Sequence, residues 1–152
     1  MKNLNFRAWH KELKEMENVL LMCFVNEYVE VLPFRNLEGG SQEAWSFKDI
    51  ILMQSTGLKD SKEVEIFEGD IVLITCDYED EIDYLRPGVW EVNLKQGPYG
   101  GFYFGLKHIE GLDSIYGTFE PDNWIIHRIL KNNIIEIIGN IHEQPELLGG
   151  GV

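Results

Sequence analysis

Basic residues are scarce in this chain: 13 lysines and arginines face 26 aspartates and glutamates, leaving a formal charge of -13 over 152 residues. Nucleic-acid affinity comes mainly from Lys and Arg displacing counterions from phosphates, so such an anion needs a strongly segregated basic face to bind DNA. The sequence offers none. Its densest basic stretch is Lys11 with Lys14, and Glu12 and Glu15 interrupt it. Nucleic acid is therefore a disfavoured partner. Cysteine is nearly absent as well: Cys23 and Cys76 each sit inside an apolar run, "LLMCFV" and "IVLITC", which excludes a disulfide framework and predicts buried, reduced thiols. Long apolar runs are also missing. The longest, Val19 to Val25, is far too short to cross a bilayer, and no charged segment followed by an apolar run and a cleavage site opens the chain. These absences predict a cytoplasmic protein with no membrane partner.

What is present is enough apolar material, 44% of residues, to bury the core of one compact domain or of two small lobes. Short strands and turns dominate the pattern. "NVLLMCFVNEYVEVL", Asn18 to Leu32, is rich in β-branched and aromatic residues and is stopped by Pro33, which predicts one or two strands. The polar "NLEGGSQEAW" from Asn36 is a candidate lobe boundary because its glycine pair packs poorly. "DIVLITC" from Asp70, "VWEVNL" from Val89 and "FYFGL" from Phe102 read as three further strands, separated by the acidic loop "DYEDEIDYLRPG" and the turn cluster "KQGPYGG". With no amphipathic helices between them, these strands favour an antiparallel sheet or barrel over a parallel one. "NNIIEIIGNI" from Asn132 is apolar on both faces and is expected at the centre of the sheet. "QPELL" places Pro145 at the start of a single helical turn, and Gly149 to Gly151 end the order. Ala8 to Met16 carries two patterns. Trp9, Leu13 and Met16 form a helical stripe, whereas Leu4, Phe6 and Ala8 alternate as in a strand.

The stretch "TGLKDSKEVEIFEGDIVLI", Thr56 to Ile74, crowds carboxylates around a Gly-Asp pair and poses the choice between a catalytic site and a turn. Gly57 and Gly69 tolerate positive φ, and Asp70 can accept a backbone hydrogen bond as the chain enters its strand, so all three read as turn residues. Paired carboxylates that do acid–base work need a defined separation across a cleft and a partner group. Neighbours in a turn do not supply it.

Four blocks, "NFRAWHKELKEM", "ILMQSTGLKDSKEVEIFEGDIV", "VWEVNLKQGPYGGFYF" and "IEIIGNIHEQPELL", together resemble the YopX protein family, encoded mainly by phages and prophages of Gram-positive bacteria. The resemblance spans nearly the whole chain. It implies a mainly β fold with little helix, in which an N-terminal β-rich lobe (1–56) precedes an antiparallel small SH3-like barrel (57–152) ending in a short helical turn. It also implies a phage origin and a bacterial host cytoplasm, and it implies no activity. Two departures bear on local structure. Lys62 and Glu63 stand where the family usually has a turn such as Asn-Gly, which predicts a looser hairpin. His10 replaces the common Asp after "FRAW", and Leu13 replaces a polar turn residue, which tilts Ala8 to Met16 toward the helical reading.

No other constellation points to chemistry. His10, His108, His127 and His142 are far apart and lack metal-ligand spacing, and the acidic loop Asp77, Glu79, Asp80, Glu81, Asp83 lacks the glycine and the twelfth-position glutamate of a calcium loop. No nucleophile elbow, phosphate-binding loop or dinucleotide fingerprint occurs, so neither a catalytic site nor a cofactor is expected. "GPYGGFYFG" is read as a turn between core strands in preference to a stacking surface for ligand or RNA. Tryptophan is typical of cores and of interfaces alike, and at least one of Trp9, Trp45, Trp90 and Trp124 is expected at an interface. The expected interaction surface comprises Trp90, Tyr99, Phe102, Tyr103 and Trp124. Three functions compete: a non-catalytic accessory protein binding itself or a host or phage protein; an acidic nucleic-acid mimic, since Asp60 to Asp83 holds ten acids and one base; and a nucleic-acid-binding small barrel.

Overall fold

Trp9 and Met16, two members of the supposed helical stripe, face each other across a β-hairpin. The computed structural model describes residues 5–33, 41–75, 88–96, 102–109 and 135–148, with the backbone alone for 96, 102–105 and 108. Strand β1 (Phe6–His10) and strand β2 (Glu15–Cys23) pair antiparallel, and Leu13 lies exposed in the four-residue turn between them. The helical reading of Ala8 to Met16 is thus corrected. A spacing of seven fits two helical turns, and it equally fits two strand residues brought opposite each other by a short reversal. The turn closes through the Lys14 N–H on the His10 carbonyl at 2.9 Å, with Lys14 at φ 58°. His10 Nδ1 accepts the Leu13 N–H at 3.2 Å, the role an aspartate would take at this place.

The chain separates into two units, Met1–Ser55 and Thr56–Val152. In the first, β3 (Tyr28–Val31) and β4 (Glu43–Ser46) continue the sheet, and β5 (Ile50–Lys59) joins it on the other side of β1, giving the antiparallel order β4-β3-β2-β1-β5. Asn18 to Leu32 therefore forms two strands. β4 pairs directly with β3, so the Gly39–Gly40 segment, itself outside the described residues, connects neighbouring strands and does not divide the chain. Period-two alternation sends Ala8, Val29, Val31, Trp45 and Ile50 to one face, where they form the core with Val19, Met22, Phe47 and Leu52.

In the second unit, the end of β5 pairs with β6 (Glu65–Phe67), and β7 (Asp70–Ile74), β8 (Gly88–Gln96), β9 (Phe102–His108) and β10 (Ile135–Asn140) form an antiparallel sheet in the order β10-β7-β8-β9. β7 has apolar residues on both faces because both are covered. Val72 and Ile74 join Ile66, Trp90, Val92, Leu106 and Ile135 on one side, and Ile71 joins Val89 and Ile109 on the other. Pro145 opens one turn of 3-10 helix, Pro145–Leu148. The fold is mainly β and antiparallel, with almost no helix. The expected barrel is not closed among the described residues.

β10 corrects a second expectation. It is an edge strand among the described residues, with a register shift between Ile137 and Gly139, and Ile138 is exposed. Its outer backbone groups meet a turn: the Ser61 N–H donates to the Ile135 carbonyl at 2.9 Å, and Asp60 Oδ2 accepts the Ile137 N–H at 3.2 Å. A bulged edge covered by a turn is protected from pairing with other chains. The apolar run of β10 therefore does not require a central position.

Candidate functional site

The carboxylates of Thr56 to Ile74 offered the one candidate for chemistry, and both buried ones are committed to backbone. Asp60 begins the β5–β6 turn. Its N–H donates to the Val64 carbonyl at 2.8 Å, and its carbonyl accepts the Glu63 N–H at 3.1 Å. Its Oδ1 takes the N–H groups of Lys62 and Val64 at 2.8 and 2.9 Å. With Glu63 at φ 64°, this is a tight turn followed by one left-handed residue, the longer hairpin connection expected where Asn-Gly is missing. Beyond the turn, Lys62 Nζ donates to Glu136 Oε1 on β10, and this bond, then the Glu136 charge, raises the Lys62 pKa above its ordinary 10.5.

Asp70, only 1% exposed, lies at the entry to β7. Its Oδ2 accepts the Phe67 N–H at 2.8 Å, closing the turn through Gly69 at φ 79°, and its Oδ1 accepts Asn140 Nδ2 at 3.2 Å from the paired residue on β10. Asn140 is tied onward, its Oδ1 accepting the His142 N–H at 2.9 Å and its own N–H donating to Gln144 Oε1 at 2.8 Å. The arrangement joins a turn, a sheet edge and the C-terminal helical turn. It presents no acid–base pair across a cleft. Gly57, also read as a turn residue, lies inside β5 at φ 71°, where the left-handed conformation interrupts a strand and does not reverse it. Among the described residues no three His, Cys, Asp or Glu side chains group as a metal ion would require.

The expected aromatic surface is corrected at Trp90, which is 5% exposed and packed in the core with Ile74, Val92 and Leu106. Trp90 and Val92 share one face of β8, packed on the core, whereas Glu91 lies on the opposite face with its carboxylate 3.6 Å from the Lys107 ammonium. Trp9 and Trp45 are buried too. Phe102 and Tyr103 lie on β9 with only their backbone described, and Tyr99 and Trp124, like Cys76 and the acidic loop Asp77 to Asp83, fall outside the described residues. Cys23 is a half-buried free thiol, not a buried one, across β2–β3 from Tyr28. Cys23, with smaller contributions from desolvation and Glu30, raises the Tyr28 pKa above 10.0.

Sequence reasoning missed an apolar group on the β2–β3 hairpin: Leu20, Leu21, Phe24 and Val25 are all exposed. The signal was the run Val19 to Val25, which is too long for one strand face to bury. Charge is also uneven. Thr56 to Val152 holds 18 acids and 7 bases, a net -11, against 8 and 6, a net -2, in Met1 to Ser55.

A family model described as YopX protein matches residues 5–149. The chain belongs to the YopX protein family. This YopX-family chain is also similar to a solved structure, "Crystal structure of protein EF1440 from Enterococcus faecalis", at 29% identity and a TM-score of 0.52, over 97% of this chain and 99% of that one. No curated protein matches the YopX-family chain significantly. None of its helices among the described residues is long and apolar enough to cross a membrane.

Proposed function

We propose that this YopX-family protein is a non-catalytic phage or prophage accessory protein of the host cytoplasm that works by binding protein, itself included. The observation that carries this reading is the exposure of Leu20, Leu21, Phe24 and Val25 in one short segment. Large apolar side chains gathered in water gain nothing for the isolated fold and are the usual mark of a contact surface. Asp60 and Asp70 support the same reading from the opposite side, because their oxygens hold backbone and side-chain donors that give the turns their shape. The small-barrel reading of the C-terminal unit belongs to this proposal. It is supported by Leu58 and Ile66, from the β5–β6 hairpin, packing on the same core as the four-stranded sheet. The test is light scattering of the purified protein together with a pull-down from host lysate. A defined oligomer or one saturable protein partner is expected; a monomer that retains nothing would overturn the reading.

The net charge of -11 on Thr56 to Val152 favours one alternative, an acidic mimic that occupies a host DNA-binding protein. A mimic's complex should weaken steeply with added salt, whereas an apolar contact should not. Binding by a nucleic-acid-recognising barrel is tested by gel shift at low salt, where retardation of DNA or RNA would favour it.

A further inference from the structure

The longest apolar run of the chain spends four of its seven residues in water. Leu20 is 53% exposed, Leu21 46%, Phe24 75% and Val25 91%. β2 pairs with β1 from Glu15 to Asn18 and with β3 from Val19 to Cys23, so Leu20 and Leu21 lie past the last β1 pair and are held from the β3 side. Two local features turn the side chains outward. Between the pairs Val19↔Val31 and Leu21↔Glu30 the register shifts, which makes Leu20 the extra residue of a bulge. A bulge re-aims side chains at the cost of a ladder bond, and here it leaves two adjacent leucines solvated. The turn that follows, Phe24 to Glu27, with Glu27 at φ 54°, carries Phe24 and Val25 at its tip. The Phe24 ring is held in place by an edge contact with Phe47, centroids 5.9 Å apart at 69°, although most of its surface stays open. Val19 and Met22, from the same run, pack on the core, so the segment is anchored as well as exposed.

We propose that this hairpin tip is a self-association surface on which a second copy of the chain docks its own tip, the two related by a two-fold axis. The inference rests on the reading of the protein as a binding module and names its partner. Area argues for a second copy. With about 200 Å² for a fully exposed residue of this size, the four exposures amount to about 500 Å² per copy, and two copies reach the roughly 1,000 Å² at which specific interfaces begin. Charge argues in the same direction. The tip belongs to the unit of net charge -2, where self-repulsion is least, and a basic partner would be drawn instead to the unit of -11. The segment from Val19 to Tyr28 contains no Lys or Arg, and it contains Glu27, so an anionic membrane surface is a poor occupant. An apolar patch meeting its own copy is self-complementary by construction.

Sedimentation velocity of the full chain over a concentration series tests this. The wild type is expected to show a monomer–dimer equilibrium with Kd on the order of micromolar to tens of micromolar, typical of a small interface. Phe24→Ser with Val25→Ser should weaken dimerisation at least about tenfold while leaving the melting temperature nearly unchanged, because both side chains are exposed. Val64→Ser, on a 52% exposed residue of the other unit, should change nothing. A wild type that stays monomeric up to about 1 mM, a concentration at which even weak specific pairs form, would overturn the proposal, as would a dimer indifferent to the double substitution. In the latter case the binding-module reading stands and only this surface falls. Loss of the tip's two side chains abolishing attachment to phosphatidylcholine vesicles, with no dimer formed, would assign the tip to a membrane and also overturn it.

Discussion

The carboxylate of Asp60 bonds the backbone of Ile137: its Oδ2 accepts that N–H at 3.2 Å while its Oδ1 holds the Lys62 and Val64 N–H groups inside the turn. One side chain, 5% exposed, thus shapes the β5–β6 turn and fastens it over the edge of β10. This gives the crowded acidic stretch its physical purpose, since a buried carboxylate is tolerable only when its oxygens are satisfied.

Removing that side chain should therefore be costly. Asp60→Ala leaves three N–H groups without their acceptor and is expected to lower stability by about 2–4 kcal/mol, the range for losing a hydrogen-bonded buried charge. Asp60→Asn keeps the oxygen that organises the turn but presents a donor amide to Ile137, and it should fall between. Urea denaturation of the three proteins measures this. An alanine variant as stable as the wild type would show that water replaces Asp60 without loss.

Glu63 sits at φ 64°, a conformation that costs a residue with a Cβ about 1–2 kcal/mol. Its ion pair with Lys59, at 3.0 Å between side chains 57% and 82% exposed, offsets little of that. Glu63→Gly is expected to raise stability by about 0.5–1 kcal/mol, whereas Glu63→Ala, which keeps the strain and loses the pair, should not. Thermal melts of both variants give the comparison, and an equal response would count against strain as the cause.

The strands were readable because their cause is local. The apolar run Asp70–Ile74 and the alternation in Gly88–Gln96 needed only neighbouring residues to be recognised. The same alternation already set Trp90 with Val92 and against Glu91, so its inward position could have been read; weight given to tryptophan as an interface residue concealed it. Positions that depend on distant partners were not readable. Asp60 and Ile137 are 77 residues apart, and nothing near Ile135 to Asn140 announces that a turn, and not another strand, covers that edge. His10 tilted the reading toward helix because an imidazole is not a usual turn residue, yet its Nδ1 holds the Leu13 N–H as a carboxylate would. The apolar tip escaped notice because a run of hydrophobic residues reads as core until the register is known, and the bulge at Leu20 is set by pairing with β3.

Alkaline pH should reveal the bond between Lys62 and Glu136. The fold raises the Lys62 pKa above 10.5, so in the window above that value the folded chain keeps a proton that the unfolded chain has released. Stability then falls as pH rises through the folded pKa, and the contribution is complete below 10.5. Tyr28, raised above 10.0 by Cys23 and its other neighbours, adds a loss of the same sign, so the difference between two proteins isolates the lysine. Glu136→Gln should show a shallower decline than wild type as the pH rises above 10.5. The effect is small because both side chains are largely in water, 63% and 42% exposed. Parallel declines in urea midpoint would remove the pair from the account of stability.

Asp70 and Asn140 allow the sharpest test of a structural role for the Gly-Asp pair. They are register partners on β7 and β10, both nearly fully buried, and Asn140 Nδ2 donates to Asp70 Oδ1 at 3.2 Å. Each also serves a second element: Asp70 closes the turn at Phe67, and Asn140 holds the chain leading to Pro145–Leu148 through His142 and Gln144. Asp70→Ala and Asn140→Ala should each destabilise by about 2–3 kcal/mol, because each leaves the other's polar group buried without its partner. The double variant should lose less than the sum by about 1–2 kcal/mol, the coupling expected of contacting residues in one network. A catalytic or ligand-holding carboxylate behaves differently, since residues placed for function hold strain and their removal tends to leave the fold as stable or more so. Additive losses would deny the coupling, and a stabilised Asp70→Ala would return this stretch to the list of candidate sites.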